Sequence, residues 1–152
     1  MPTDTPAPTD FRIVFPNTQM AVRRALAALK QGLRHLALSE DDSGTVEVVL
    51  GEVLNNIVEH AYGPDETGEI EIACVAKGAA LYFRVSDRGQ ALPGLSLPEG
   101  RPASLDCARE DLPEGGFGWF LVRELARELS YSHEVGCNRL HFQIPLHGRL
   151  SN

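Results

Sequence analysis

Glu52, Asn56 and His60 recur at every fourth position of a predicted helix, so a carboxylate, an amide and an imidazole share one side of it. These groups could bind a ligand or move a proton, although an ordinary solvated helix face has the same pattern. Asparagine is a mediocre helix former, and Asn55 precedes Asn56, so the pair carries a propensity cost that a binding role would explain. The opposite side of the helix is predicted to be its core face, formed by Val46, Leu50, Val53, Ile57 and Ala61.

A second candidate is Asp87, which ends a predicted strand and is followed two residues later by Gly89. A glycine at this position permits a positive φ or a close approach of the backbone to a ligand. The same Asp-x-Gly spacing also occurs in ordinary turns, so on its own it leaves both interpretations open.

A third candidate is the segment Glu114–Trp119, which opens a predicted helix with Gly115, Gly116 and Gly118. Glycines at a helix N-terminus expose unpaired N–H groups at the positive end of the helix dipole, an arrangement that suits phosphate. The spacing matches neither the Walker pattern nor a complete dinucleotide-binding fingerprint, and a flexible loop that leads into a helix is the alternative.

Eight predicted helices and strands must position these candidates. The predicted helix start signals are the stretches Pro16-Asn17-Thr18 and Ser39-Glu40-Asp41-Asp42, and strands are predicted where apolar and polar residues alternate. In chain order, the elements are a strand at 11–15, helices at 19–36 and 39–62, strands at 70–74 and 81–87, a helix at 117–129, and strands at 129–135 and 139–145.

This order of elements predicts the architecture. Strands joined by hairpins pair antiparallel, and three amphipathic helices need one sheet face to cover. We therefore expect an α+β two-layer sandwich, with a mixed, mostly antiparallel sheet and three helices on one face. Residues 1–10 are expected to be a disordered tail and residues 11–147 a single domain. The stretch of about 88–116 holds four prolines and five glycines without a sustained period, which predicts a lid loop.

Charge and composition exclude several classes of protein. The chain has 152 residues, with 14 basic and 21 acidic side chains and a formal net charge of −7. Because the basic residues are scattered, we expect no direct binding to nucleic acid. The apolar runs are too short to cross a bilayer and the first residues do not resemble a signal peptide, so we expect a cytoplasmic protein. The dispersed Cys74, Cys107 and Cys137 favour packing roles over disulfides or a zinc site.

Taken in chain order, the three candidates are more specific together than separately. The order is a helix face with an acid and asparagines, a strand that ends in Asp-x-Gly, a long lid, and a helix that starts with Gly-x-Gly. From about Phe11 to Leu146, this order resembles the ATP-binding fold shared by gyrase, Hsp90, histidine kinases and MutL. Within that superfamily, the stretch from Glu52 to Tyr62, which ends in His60-Ala61-Tyr62, looks most like the bacterial anti-sigma-factor serine kinases.

The resemblance implies a role for each matched residue. The acid that matches Glu52 is the general base on the attacking hydroxyl, and the oxygen of Asn56 holds the Mg²⁺ that bridges the phosphates. Asp87 accepts a hydrogen bond from the adenine amino group, and Gly89 leaves room for the base. The implied positions that bind the cofactors ATP and Mg²⁺ are Asn56, His60, Asp87, Gly89, Gly116, Phe117 and Gly118.

The resemblance further implies an ATP-binding serine/threonine protein kinase that acts as an anti-sigma factor. Such a protein regulates transcription by binding a sigma factor, and it phosphorylates an antagonist protein. Such kinases are commonly homodimers, a state that the residues neither favour nor exclude. The alternative is a catalytically weak nucleotide-binding regulatory module that controls partner binding without phosphotransfer. Glu114 favours this alternative, because many relatives carry a basic residue near the glycines, whereas the retained Glu52 favours the kinase.

Overall fold

The computed structural model describes residues 11–63, 67–98 and 116–147. A short strand is followed by two helices, a β-hairpin, a third helix and a second hairpin. These elements are β1 (Phe11–Pro16), α1 (Gln19–Gly32), α2 (Glu40–His60), β2 (Glu69–Lys77), β3 (Ala80–Asp87), α3 (Gly116–Leu125), β4 (Arg127–Glu134) and β5 (Cys137–Pro145). Short 3₁₀ turns at Arg34–Leu36 and Pro93–Leu95 follow α1 and β3.

Both long helices begin where the sequence supplies a capping side chain. The Thr18 hydroxyl accepts a hydrogen bond from the Ala21 N–H at 3.1 Å, and the Ser39 hydroxyl accepts one from the Asp42 N–H at 3.0 Å. Each bond satisfies an amide that has no acceptor inside its helix. The predicted start signals of α1 and α2 are therefore confirmed.

The five strands form one sheet in the order β1-β2-β3-β5-β4, and every described pair of neighbours is antiparallel. The pairs β2–β3 and β4–β5 are the two hairpins. The long-range pairing of β3 with β5 sets Asp87 opposite Asn138. The end of β3 and the start of β5 therefore lie side by side.

The three helices cover one face of this sheet, and the hydrophobic core fills the space between the layers. Along β3, Leu81, Phe83 and Val85 are buried on the core side, whereas Tyr82 lies on the opposite, exposed side. The predicted core face of α2 is confirmed, since its members Val46, Leu50, Val53, Ile57 and Ala61 are all buried. The predicted α+β two-layer sandwich is confirmed as well, with an antiparallel sheet.

The third helix is shorter than its apolar spacing predicted. It ends at Leu125, and Leu129, which the spacing assigned to this helix, lies in β4. The Ala126 N–H closes the last turn on the Val122 carbonyl oxygen at 2.8 Å, and Glu128 has a φ of 55°, which a right-handed helix does not accept. Pairing with β5 therefore takes Leu129 into the sheet.

Several predicted features lie outside the described residues. These are the tail at 1–10, Cys107, and the lid between 99 and 115, which contains Glu114 and Gly115. Cys74 and Cys137 are described and are both buried, as expected of packing residues. No helix within the described ranges combines the length and the apolar composition that crossing a bilayer requires.

Candidate functional site

Two cavities adjoin each other along α2 and share Asn56 and Trp119 in their walls. One lies under the adjacent ends of β3 and β5, where Asp87 contributes to its lining. The other lies between α2 and α3 and is lined by Glu52 and Gly118. Polar groups from three separate segments of the chain therefore meet, with Asn56 between Asp87 and Glu52.

Glu52 is half-buried on α2 and packs against the start of α3. A Cβ added at Gly118 would overlap Glu52 Oε2 and would lie 3.2 Å from Glu52 Cδ. Glycine at 118 therefore leaves the space that the carboxylate occupies. The carboxylate lies beside the first turn of α3, where the positive end of the helix dipole stabilises an anion.

The backbone at the start of α3 provides donors for a second anion. The helix begins at Gly116, so the N–H groups of Gly116, Phe117 and Gly118 belong to its first turn. Amides in the first turn have no acceptor within the helix and are well placed to bind phosphate. The structure describes the backbone of Phe117 but not its side chain.

Asp87 is buried, with 6% of its surface exposed, at the end of β3. Its Oδ1 accepts hydrogen bonds from the Gly89 N–H at 2.8 Å and from Asn138 Nδ2 at 2.9 Å. Burial raises the pKa of Asp87 above its ordinary value, and the hydrogen bonds from Asn138 and Gly89 oppose that rise. The Asp-x-Gly segment is thus a side-chain-capped turn, and its carboxylate also lines a cavity.

Gly89 allows the turn after Asp87 to lie close to the backbone of Ala61. An added Cβ would overlap the carbonyl group of Ala61, which caps the C-terminal end of α2. The Gln90 N–H also donates to the Ala61 carbonyl oxygen at 2.5 Å. The φ of Gly89 is not among the positive values of the described residues, so the close approach is what favours glycine here. Gly89 therefore holds the Asp87 turn against α2.

His60 is placed differently from the other members of its helical stripe. Its side chain is 58% exposed, and Nε2 lies 3.5 Å from the neighbouring Glu59 carboxylate. It lines neither of the two cavities described for this part of the chain. The fold therefore brings Glu52, Asn56, Asp87 and Gly118 together and leaves His60 at the surface.

Sequence reasoning missed three residues of this site. Trp119 is 6% exposed and lies in the wall that the two cavities share, whereas Tyr131 and Asn138 line the Asp87 cavity. The one signal for Trp119 was its place directly after Gly118 at a helix start. Tyr131 and Asn138 become visible only through the pairing of β4 and β3 with β5.

The polar atoms of the second cavity suit a hard cation. Glu52, Asn56 and Glu59 line it, and they offer carboxylate and amide oxygens of the kind that Mg²⁺ binds. The described residues hold no group of three or more His, Cys, Asp or Glu side chains that could bind a metal alone. This donor set fits a Mg²⁺ that is held mainly by phosphate oxygens and water, with few protein ligands.

Comparison with known proteins identifies similar sequences and a similar fold. A family model described as histidine kinase-like ATPase domain matches residues 15–144. Over 102 residues, the chain is 28% identical to the serine-protein kinase RsbW of Oceanobacillus iheyensis and 29% identical to that of Bacillus mycoides. These matches cover 66% of this chain but only 65% and 63% of the two relatives, which is less than two thirds of their length.

A solved structure shares the fold. The crystal structure of the RsbU and RsbW domains of a Mycobacterium tuberculosis protein matches with a TM-score of 0.63 and 22% sequence identity. The match covers 93% of this chain and 33% of that chain. At this identity, the likeness concerns the fold alone.

Proposed function

The chain belongs to the family of histidine kinase-like ATPase domains, and on this premise we propose that it is an ATP-binding serine/threonine protein kinase and anti-sigma regulatory factor. Its protein substrate is an antagonist protein, and its other partner is a sigma factor. The similarity to the serine-protein kinases of Oceanobacillus iheyensis and Bacillus mycoides supports a kinase of this kind. We propose that it acts in the cytoplasm, can form a homodimer and makes no direct contact with nucleic acid.

The observation that carries the proposal is the position of Asn56 between Asp87 and Glu52. Asn56 lines both cavities, whereas Asp87 lines only one of these two and Glu52 only the other. An extended ligand with a base at one end and phosphates at the other would therefore contact Asp87 first and then Asn56. Its terminal phosphate would lie near Glu52 and the first turn of α3.

Glu52 is the proposed general base. Phosphoryl transfer asks a protein mainly to position the reactants and to stabilise charge, and a carboxylate beside the terminal phosphate can accept the proton of an attacking hydroxyl. Because Glu52 and Asn56 are one helical turn apart, their side chains lie next to each other on α2. When bound, Mg²⁺ would be held through the side-chain oxygen of Asn56 and would neutralise phosphate charge.

Asp87 is the proposed base-recognition residue. An ionised carboxylate accepts hydrogen bonds only, so it favours the amino group of adenine over the carbonyl oxygen that guanine presents at the same ring position. The N–H groups of Gly116, Phe117 and Gly118 are the proposed phosphate donors.

Nucleotide binding is tested by thermal unfolding with ATP plus Mg²⁺ and, in parallel, with GTP plus Mg²⁺. At 100 times its dissociation constant, ATP is expected to raise the free energy of unfolding by about 2.7 kcal/mol. GTP at the same concentration is expected to give a much smaller shift. A protein that responds to neither nucleotide would contradict the whole site assignment.

Phosphotransfer is tested with labelled ATP and a serine-containing antagonist protein. Glu52→Gln is expected to lower transfer by about 10²- to 10⁴-fold while ATP binding persists, since only the proton acceptor is lost. Glu47→Gln is the control, because Glu47 lies on the same helix and lines neither of the two cavities. Equal loss in both variants would remove the specific role of Glu52.

The second candidate function is a nucleotide-binding regulatory module without useful catalysis. Glu114 favours it, because a negative charge next to Gly115 is unfavourable near a triphosphate. ATP would then act as a ligand that binds two conformations unequally and so changes partner affinity. Tight ATP binding with no transfer to any candidate antagonist would support this module over the kinase.

A further inference from the structure

Asn138 is a polar side chain that the fold buries, with only 5% of its surface exposed. It lies near the start of β5, opposite Asp87 on β3 and opposite His133 on β4. A buried amide is costly unless its donors and acceptors are bonded, so the partners of Asn138 carry information about its role.

The carbonyl oxygen of the Asn138 amide receives hydrogen bonds from β4. The Tyr131 hydroxyl donates to it at 2.6 Å, and His133 Nδ1 lies 2.7 Å away. Because an amide oxygen can only accept, this contact assigns a proton to His133 Nδ1. The Tyr131 hydroxyl also accepts a hydrogen bond from the Leu92 N–H at 2.9 Å, which anchors the loop that follows Asp87.

The amide nitrogen of Asn138 faces acceptors. It donates to Asp87 Oδ1 at 2.9 Å and lies 3.1 Å from each of the carbonyl oxygens of Gly89 and Gln90. An amide turned by 180° would set its oxygen against these acceptors, of which the two backbone carbonyl oxygens can never donate. The observed orientation therefore pairs the Asn138 oxygen with β4, and it leaves the two N–H groups to be shared among three acceptor oxygens.

This arrangement decides which oxygen of Asp87 remains for a ligand. Oδ1 already accepts from Asn138 Nδ2 and from the Gly89 N–H. Of the donors in the described ranges, none is bonded to Oδ2. Asp87, Gln90 and Asn138 all line the cavity that we assign to the base. Oδ2 is therefore the Asp87 oxygen that has no donor among the described residues and can accept a hydrogen bond from a bound base.

We propose that Asn138 is the positioning residue that makes this cavity selective for adenine over guanine, because it holds Asp87 with Oδ2 as a free acceptor. The inference rests on the proposed ATP binding. Without the Asn138 amide, the Asp87 carboxyl group can rotate, and in its protonated form it can donate to the carbonyl oxygen of guanine. Asn138 therefore controls the ratio of ATP to GTP affinity and not only the stability of the fold.

The test compares the dissociation constants of Mg·ATP and Mg·GTP in the wild-type protein and in Asn138→Asp. Aspartate keeps the shape of the side chain and the acceptor for Tyr131, but it removes the N–H donors and sets a second carboxyl group against Asp87. Two carboxyl groups at this distance share one proton, so the Asp87 side becomes able to donate. The ATP-to-GTP affinity ratio is expected to fall by about tenfold or more, mainly through weaker ATP binding.

Two further variants separate positioning from general damage. Tyr131→Phe removes one donor to the Asn138 oxygen and keeps the ring, so a smaller fall in the ratio is expected, and this variant decides the question if Asn138→Asp does not fold. Asp42→Asn is the control, because Asp42 is 3% exposed and accepts from the His147 N–H at 3.2 Å, away from the cavity. It is expected to lower the melting temperature and leave the ratio unchanged.

The outcomes distinguish the two proposals. Suppose that the wild-type protein prefers ATP and that Asn138→Asp and Tyr131→Phe each weaken the binding of ATP and of GTP by the same factor. The positioning role is then overturned, whereas the proposed ATP binding is supported. An unchanged ratio with unchanged affinities overturns it as well. If the wild-type protein binds neither nucleotide, the proposed function fails and the role of Asn138 fails with it.

Discussion

The carboxylate of Glu52 in α2 rests on the backbone of Gly118 in α3, in the space that a side chain at position 118 would fill. The contact joins the proposed general base to the helix start that we propose binds phosphate. The position of the proposed general base, Glu52, therefore depends on the absence of a side chain at position 118. Substitution at Gly118 can therefore separate catalysis from folding.

Gly118→Ala is expected to lower phosphotransfer by at least about tenfold and leave the fold intact. The added methyl group overlaps Glu52 Oε2, the far end of a flexible side chain, so the carboxylate moves and the backbone does not. Alanine is also a better helix former than glycine by up to about 1 kcal/mol, so the free energy of unfolding should stay the same or rise. Transfer assays and chemical denaturation measure the two effects.

Gly44→Ala is the matched control for Gly118→Ala. Gly44 is a helical glycine of α2, and nothing lies within 4 Å of a Cβ added there. This variant should gain the same helix propensity and keep full transfer activity. If Gly118→Ala also keeps full activity, the contact with Glu52 has no part in catalysis.

Gly89→Ala is expected to destabilise the protein and weaken ATP binding together. Here the added methyl group meets the backbone carbonyl of Ala61, which cannot rotate away as a side-chain tip does. Overpacking of this kind costs about 1–3 kcal/mol, and the displaced turn carries Asp87 with it. Denaturation and nucleotide titration of Gly89→Ala, beside Gly51→Ala where the added Cβ has open space, test the claim. A stable Gly89→Ala protein with normal ATP affinity would contradict it.

Tyr62→Phe is expected to remove a second attachment of the turn that follows Asp87. The Tyr62 hydroxyl accepts from the Arg88 N–H at 2.9 Å and donates to the Glu69 carbonyl oxygen at 3.1 Å, so it ties the residue after Asp87 to the start of β2. Loss of both bonds should lower the free energy of unfolding by about 1 kcal/mol and weaken ATP binding. Tyr82→Phe, at an exposed position of β3, should change neither quantity.

Much of the fold follows from local features of the sequence. The capping hydroxyls of Thr18 and Ser39 mark the starts of two helices, and alternation of apolar residues marks the hairpin of β2 and β3. The spacing of apolar residues does not decide the structure at Leu129. A leucine four places after Leu125 fits a continuing helix and also fits a strand. The pairing of β4 with β5 decides between them, and pairing is a property of the folded chain.

The candidate site was predictable to the extent that its residues fall in recognisable local patterns. Glu52 and Asn56 form a stripe on one helix, and Asp87 ends a strand before a glycine. Asn138 has no such pattern, since its role depends on the register that sets it opposite Asp87 on β3. His60 shares the spacing of the stripe, but it lies one turn too far along α2 to reach either cavity.

The buried carboxyl group of Asp87 is expected to make both the free energy of unfolding and the proposed ATP binding depend on pH. Burial is the main cause that raises its pKa above the ordinary value of 3.8, and the hydrogen bonds from Asn138 and Gly89 and the charge of His133 act against it. Between 3.8 and the raised value, the native state binds more protons than the unfolded state. The contribution of Asp87 to stability is therefore largest below this window and falls as pH rises through it.

The affinity for ATP is expected to change with pH in the opposite direction, because in the proposed site the adenine amino group donates to the ionised Asp87 carboxylate. The dissociation constant of Mg·ATP should therefore increase as pH falls through the raised pKa of Asp87, at a pH above that of an ordinary carboxyl group. Calorimetric titration between about pH 4 and pH 7 measures the effect. Asp87→Asn is the control, since it retains the titration of the phosphates but lacks that of residue 87. Wild-type and Asp87→Asn proteins whose affinities change in parallel with pH would show that the Asp87 carboxylate takes no part in binding the base.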